Sequence, residues 1–207
     1  MRIKSTVIAG LVLAIGATAA CAEPVSLRDA KRALFKGSKI SVQVIEGVTL
    51  DETSAAQVNA LVAALKNPQL AAQFATYGYY GAIAIIPGTA LSEKTMTISA
   101  GLHSPEAAIE AAVAGCNALE GPKCVAVATI VPKRYKPQSF TLNQAASAAF
   151  FDVFRGMDGP KYMAYSPTTK AFSSASGNGA DAAALARCNE AAAVDGAQDC
   201  VIAITQD

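Results

Sequence analysis

Apolar positions along the chain alternate between short β-branched runs and longer alanine-rich stretches of helical period. Ser26 can cap a short helix reaching Phe35, with Asp29 in its first turns and Gly37 beyond its end. Residues 40–45 alternate as a strand closed by Gly47. Across 53–66, Ala56, Val58, Leu61, Val62 and Leu65 share one helical face, and Asn67-Pro68 ends that helix and begins another to Phe74. Tyr77-Gly78-Tyr79-Tyr80-Gly81 predicts a turn into a strand over 82–86, with 95–99 alternating as its neighbour. Ser104-Pro105-Glu106-Ala107 joins a capping serine to a proline at the first helical position, and the helix should run to Leu119. Residues 125–131 are continuously apolar, as in a strand buried on both faces. Asn143 caps a helix through Phe154, stopped by Gly156 and Gly159-Pro160. A strand over 161–165, a turn, a second strand, a helix over 181–193 and a last strand over 201–204 complete the chain.

Two stretches of this pattern match each other. Ala112-Val113-Ala114-Gly115-Cys116-Asn117 resembles Ala184-Leu185-Ala186-Arg187-Cys188-Asn189, and Lys123-Cys124-Val125-Ala126 resembles Asp199-Cys200-Val201-Ile202. Upstream, Ala82-Ile83-Ala84-Ile85-Ile86-Pro87 aligns after a small shift with the segment ending Tyr165-Ser166-Pro167. The expected plan is therefore two tandem strand–strand–helix–strand repeats, 79–131 and 160–207. An added N-terminal helical segment, 23–78, precedes them, and a connector helix region, 132–159, lies between them. Interspersed strands and helices give an α/β or α+β class, expected as one sheet shared by both repeats in a thin two-layer domain, 23–207.

The first residues form a different kind of segment. Arg2 and Lys4 precede an apolar run over 7–20, about 14 residues against the roughly 20 that a membrane span needs. Ala20-Cys21-Ala22 before Glu23 supplies small residues for cleavage, so 1–22 reads as a secretory signal peptide cut near Ala22. Thr18-Ala19-Ala20 lacks the leucine three residues before the cysteine that lipoprotein processing uses, which leaves a lipid anchor at Cys21 as the minor alternative. No other stretch is long and uncharged enough to cross a bilayer. Export to the periplasm or beyond then permits disulfides, and Cys116, Cys124, Cys188 and Cys200 remain after cleavage. Their matched surroundings favour Cys116–Cys124 and Cys188–Cys200, each tying a helix end to the next strand. Such short loops should gain about 2–3 kcal/mol each.

Composition narrows the function classes. The formal net charge is +1, which removes the electrostatic case for a nucleic-acid partner. Apolar residues reach 52 % and charged ones 16 %, excluding disorder, although 45 alanines supply much of that apolar content with little volume.

Candidate chemistry is sparse. His103 is the sole histidine, so a histidine base must be that residue, and its place before the capping Ser104 predicts an exposed turn. Ser166-Pro167-Thr168-Thr169-Lys170 is one residue too long for a Ser/Lys nucleophile motif and reads as a hairpin turn. No nucleophile elbow, zinc-protease helix, phosphate loop or dinucleotide fingerprint follows any strand. Glu106 and Glu110 lie four residues apart on one helix, but the helix dipole suffices to explain Glu106. Gly177-Asn178-Gly179 is ordinary turn chemistry. Lys133-Arg134-Tyr135-Lys136 is a short basic loop that could bind an anion, but a loop this short is more often simply solvated. Tyr77, Tyr79 and Tyr80 form the densest aromatic cluster, either a binding surface together with His103 or a packing cluster at a strand entry. The cysteine spacing suits no metal, and no cofactor is expected.

With the repeats laid out, Tyr80-Gly81-Ala82-Ile83-Ala84, Met163-Ala164-Tyr165-Ser166-Pro167 and the Ser104-Pro105-Glu106-Ala107-Ala108 helix start carry a resemblance. Over about residues 78–207 the chain resembles an uncharacterised family of small exported bacterial proteins with alanine-rich helices and cysteine pairs. Some members carry the label 5-aminolevulinate synthase, which would imply pyridoxal phosphate on a Schiff-base lysine. The mature chain is too short for that fold, and an exported disulfide protein is in the wrong compartment for it. The motifs specify a scaffold rather than a reaction. The expectation is a non-enzymatic envelope protein that binds an unknown envelope protein or ligand. The rival is a periplasmic hydrolase or transferase whose site gathers His103, Ser166 and a carboxylate between the repeats.

Overall fold

The computed structural model describes residues 23–119 and 123–206. The signal segment with Cys21 and Ala22 lies outside the described residues. In chain order the elements are β1 (Val25–Ser26), α1 (Leu27–Ala33), β2 (Ile40–Val44), α2 (Glu52–Ala64), α3 (Pro68–Ala75), β3 (Gly81–Ile85), β4 (Met96–Ala100) and α4 (Pro105–Asn117). Then follow β5 (Val125–Pro132), α5 (Gln144–Asp152), β6 (Lys161–Tyr165), β7 (Phe172–Ser176), α6 (Ala180–Ala192) and β8 (Val201–Gln206). The class is α+β.

Local chemistry starts most of the helices. Ser26, Ser104 and Asn143 each accept a backbone N–H of the first turn, as their sequence positions predict, and Asn67 does so ahead of Pro68. Asp51 does the same for α2, accepting from the Ser54 N–H at 3.0 Å.

The strands form two separate four-stranded sheets, β2-β5-β3-β4 and β1-β8-β6-β7, rather than the single shared sheet that the sequence led us to expect. The reason lies in the N-terminal segment, which is not merely helical. β2 occupies the outer edge of β5 in antiparallel register, and β1 occupies the outer edge of β8 in parallel register. β2 covers that edge of β5 over five residues, and β1 takes Ile204 and Thr205 on that edge of β8.

The two units have the same order and pairing. In each, the first strand lies antiparallel to both its hairpin partner and the strand after the helix. The register shift falls between Ile83 and Ala84 in one sheet and between Met163 and Ala164 in the other.

Each sheet also carries helices on both faces, so the thin two-layer arrangement gives way to three layers. On the first sheet Ala82 and Ala84 meet Ala108, Ala112 and Cys116 of α4, while Ile83 and Ile85 turn to Val58 and Val62 of α2. The alternation of small and large residues thus encodes a close-approach face and a bulky face. On the second sheet Ala164 and Ala175 pack with Ala180, Ala184 and Cys188 of α6, and Met163 and Ile204 pack with Phe150 and Phe154.

Both short disulfides are present, Cys116–Cys124 and Cys188–Cys200, with Cα atoms 5.9 and 6.0 Å apart. Each is reinforced by the asparagine after its helical cysteine. Asn117 Oδ1 accepts the Cys124 N–H at 2.8 Å and Asn189 Oδ1 accepts the Cys200 N–H at 3.1 Å. The repeated Cys-Asn pair is thus one device for turning a helix end into a strand start. No helix among the described residues is long and apolar enough to cross a membrane.

Candidate functional site

The residues singled out as a possible surface are divided by the structure. Tyr77 is 65 % exposed, whereas Tyr79, Tyr80 and His103 are each 1 % exposed. Tyr79 and Tyr80 are a packing cluster at the start of β3, and only Tyr77 presents a surface. Tyr79 donates its hydroxyl to the Phe35 carbonyl at 2.9 Å, and the rings of Phe35, Tyr79, Tyr80 and Tyr135 meet edge-on or tilted. Burial pushes the Tyr80 phenol upward, with Tyr135, Tyr79 and Glu106 adding to the effect. Those hydroxyls stay protonated and serve the core.

His103 is not the exposed turn residue its position suggested. The turn at Gly101, with φ of 80°, leads the chain inward at Leu102 and His103 before Ser104 opens α4. His103 Nδ1 accepts the Asn143 N–H at 3.2 Å, so Nε2 carries the proton and donates to the Ala171 carbonyl at 3.1 Å. The ring also meets Tyr165 edge-on at 4.9 Å. Burial drives its pKa down to about 4, against the pull of the Ala171 and Lys170 backbone. Asn143 completes the joint by donating Nδ2 to Gly101 O at 2.8 Å and to Lys170 O at 3.2 Å, while its Oδ1 caps α5. One neutral imidazole and one amide thus tie both strand–helix units to the connector.

Ser166 and Asp199 lie at the edge of the same region, and Ser166 N–H shares the Ala171 carbonyl with His103. Yet the trio does not form a relay. Ser166 Oγ donates to Asp199 Oδ1 at 2.6 Å and accepts the Thr169 N–H at 3.0 Å. The second Asp199 oxygen takes the Thr168 hydroxyl at 2.6 Å and the Thr168 N–H at 3.2 Å. Burial raises the Asp199 pKa, but the Ser166 and Thr168 hydrogen bonds outweigh it and hold the carboxyl below the usual range. Both nitrogens of His103 are committed elsewhere, and Ser166 and His103 are sealed from solvent. The arrangement folds a turn against the start of β8.

One concavity that faces solvent is lined by cations. The α1–β2 loop and the turn after β5 enclose a groove of about 550 Å³ lined by Phe35, Lys36, Ser38, Lys39, Lys133 and Arg134. A narrower extension runs past Gln144, Phe151 and Asp152. Lys133-Arg134 was visible in the sequence as a basic loop; Lys36 and Lys39 were not connected to it. The β2–β5 pairing makes the connection, because Ile40 lies opposite Pro132 and the Lys133 N–H continues the ladder to the Lys39 carbonyl at 2.8 Å. Among the described residues no carboxylate pairs with any of the four, the one ion pair being Arg32–Asp29. No group of three or more His, Cys, Asp or Glu residues among the described residues is placed to hold a metal ion. Comparison with known proteins adds no assignment: no family model, no curated protein and no solved structure matches the chain.

Proposed function

We propose that this chain is an exported, disulfide-stabilised binding protein of the bacterial cell envelope that acts by recognition rather than turnover. The observation that carries the reading is where the reactive polar groups point. Those of His103, Ser166 and Asp199 are spent on holding the fold, while the unpaired cations open into a groove. Two disulfides fit an oxidising compartment. The residues at 1–22 fit a secretory signal, and the resemblance to small exported bacterial proteins agrees with both. Matching element order, pairing and bulge position support a tandem duplication of one unit.

The test is expression of the full chain in a bacterial host. Osmotic shock should release a product beginning at Glu23 with no free thiol. That product should retain an envelope component that salt elutes. Retention in the cytoplasm with reduced cysteines overturns the export reading. A turnover in purified protein that His103→Ala abolishes while the variant stays folded overturns the binding reading.

A further inference from the structure

The cationic groove has a feature that its fold does not need. In an antiparallel pair, residues directly opposite project to the same side, and like charges there repel. Continuing the β2–β5 register by one pair places Lys39 opposite Lys133 at the end of the ladder, and Arg134 follows in the turn that the Tyr135 N–H closes on the Pro132 carbonyl. Lys36 lines the same wall, with its ammonium 5.9 Å from the centre of the Phe151 ring. Arg134 holds a left-handed backbone at φ 65°, a conformation that glycine adopts more readily than arginine. In a chain of formal net charge +1, four cations therefore share one concavity. Two of them face each other, and no carboxylate lines that groove. Of the acids around it, Asp152 lines the extension and Glu106 acts on Tyr135 from α4.

A counter-anion resolves the repulsion. Charge count favours a dianion over a single carboxylate, and a guanidinium fork with flanking ammonium groups is the donor set that suits phosphoryl oxygens. A concave site excludes a flat bilayer, and its size suits a small molecule. The extension past Gln144, Phe151 and Asp152 leaves room for the remainder of a phosphomonoester. We infer that the groove between residues 35–39 and 132–134 binds the phosphoryl group of free phosphate or of a small phosphomonoester. This inference rests on the binding-protein reading and gives it a ligand class.

The test is an amide NMR titration of the disulfide-intact mature chain with inorganic phosphate, glycerol phosphate and glycerol, at low and at physiological salt. Phosphate and glycerol phosphate should shift the amides of 36–39 and 133–135, with affinity falling as salt rises; glycerol should shift none of them. The tighter of the two anions identifies the source of the phosphoryl group. Lys133→Gln with Arg134→Gly should weaken binding by at least about tenfold, the loss expected for removing charge-assisted contacts. Its melting temperature should hold, since glycine suits the left-handed position. Lys36→Gln with Lys39→Gln tests the facing wall independently. Anion-induced shifts elsewhere, equal response to glycerol, or undiminished affinity in both double variants overturns the site. An exported chain whose groove ignores phosphate sinks this inference alone. A phosphate-binding chain with His103-dependent turnover sinks the binding-protein reading alone.

Discussion

Acidification should destabilise this protein as pH falls from about 6.5 toward about 4, and His103 should account for a measurable part of the effect. His103 is neutral in the fold with a pKa of about 4, against 6.5 for an unburied imidazole. Between those values the unfolded chain binds a proton that the folded chain refuses, so stability falls as pH drops through this window. Linkage gives a loss of about 2 kcal/mol at about pH 5 and about 3 kcal/mol near pH 4, relative to neutral pH. Protonating Nδ1 would turn the acceptor of the Asn143 N–H into a second donor, and no carboxylate acts on the ring to stabilise the cation. Asp51 and Asp199 have pKa values below 3.8, so their contributions are lost only at lower pH and do not blur the window. Urea unfolding followed by circular dichroism, at a series of pH values from neutral to about pH 5, measures the effect. With an m-value of about 2 kcal/mol per molar urea, the midpoint should drop by about 1 M. His103→Gln keeps a donor and an acceptor but cannot titrate. It should be less stable at neutral pH and flat across the window. Equal pH slopes in the wild type and the variant would refute the reasoning, as would an imidazole resonance titrating above pH 6 in the folded chain.

Other expectations follow from the packing and the staples. Replacing Cys188 and Cys200 together by alanine should cost about 3 kcal/mol, read as a lower urea midpoint, because a short loop is no longer closed in the unfolded chain. Asn189→Ala should cost about 1 kcal/mol by the same measurement, since the Cys200 N–H loses its acceptor. Ala164→Leu should destabilise by about 1–3 kcal/mol, because Ala164 is fully buried where α6 approaches β6 through alanines. Lys161→Met should cost about 2 kcal/mol and speed hydrogen exchange over 154–157. The buried Lys161 ammonium donates to the Arg155 and Met157 carbonyls at 3.1 and 2.7 Å.

Much of the architecture could be read before any coordinates because its signals are local. Ser26, Pro68, Ser104 and Asn143 announce helix starts, and Gly156 and Asn67-Pro68 announce ends. Ala82-Ile83-Ala84-Ile85 even encodes which face of β3 a helix approaches closely. What escaped is set by long-range pairing. β1 is two residues long and exists only because β8 offers it an edge, and with β2 it decides between one sheet and two. His103 was misplaced because a lone polar residue before a helix cap ordinarily faces solvent. Here Asn143 and Ala171, distant in sequence, supply both of its partners. The groove escaped for the same reason, since Lys39 and Lys133 are 94 positions apart and meet only through the β2–β5 register.

The disulfides also explain how so much alanine can make a stable domain. The buried face of α6 is Ala180, Ala184, Cys188 and Ala192, and that of α4 includes Ala108, Ala112 and Cys116. Each such alanine buries fewer methylene groups than a leucine would, at about 0.8 kcal/mol apiece, so a helix with this face gives up several kcal/mol of burial in return for close approach. A staple worth about 3 kcal/mol, placed where that helix hands over to its strand, offsets much of the deficit. Both helices use it at corresponding places. A chain built this way depends on a compartment that lets thiols oxidise. Reducing both bonds should loosen α4 and α6 first, while Met163 and Ile204 against Phe150 and Phe154 still hold the far face of the second sheet. Hydrogen exchange under reductant that instead opened α5 before α6 would show that the alanine faces need no staple.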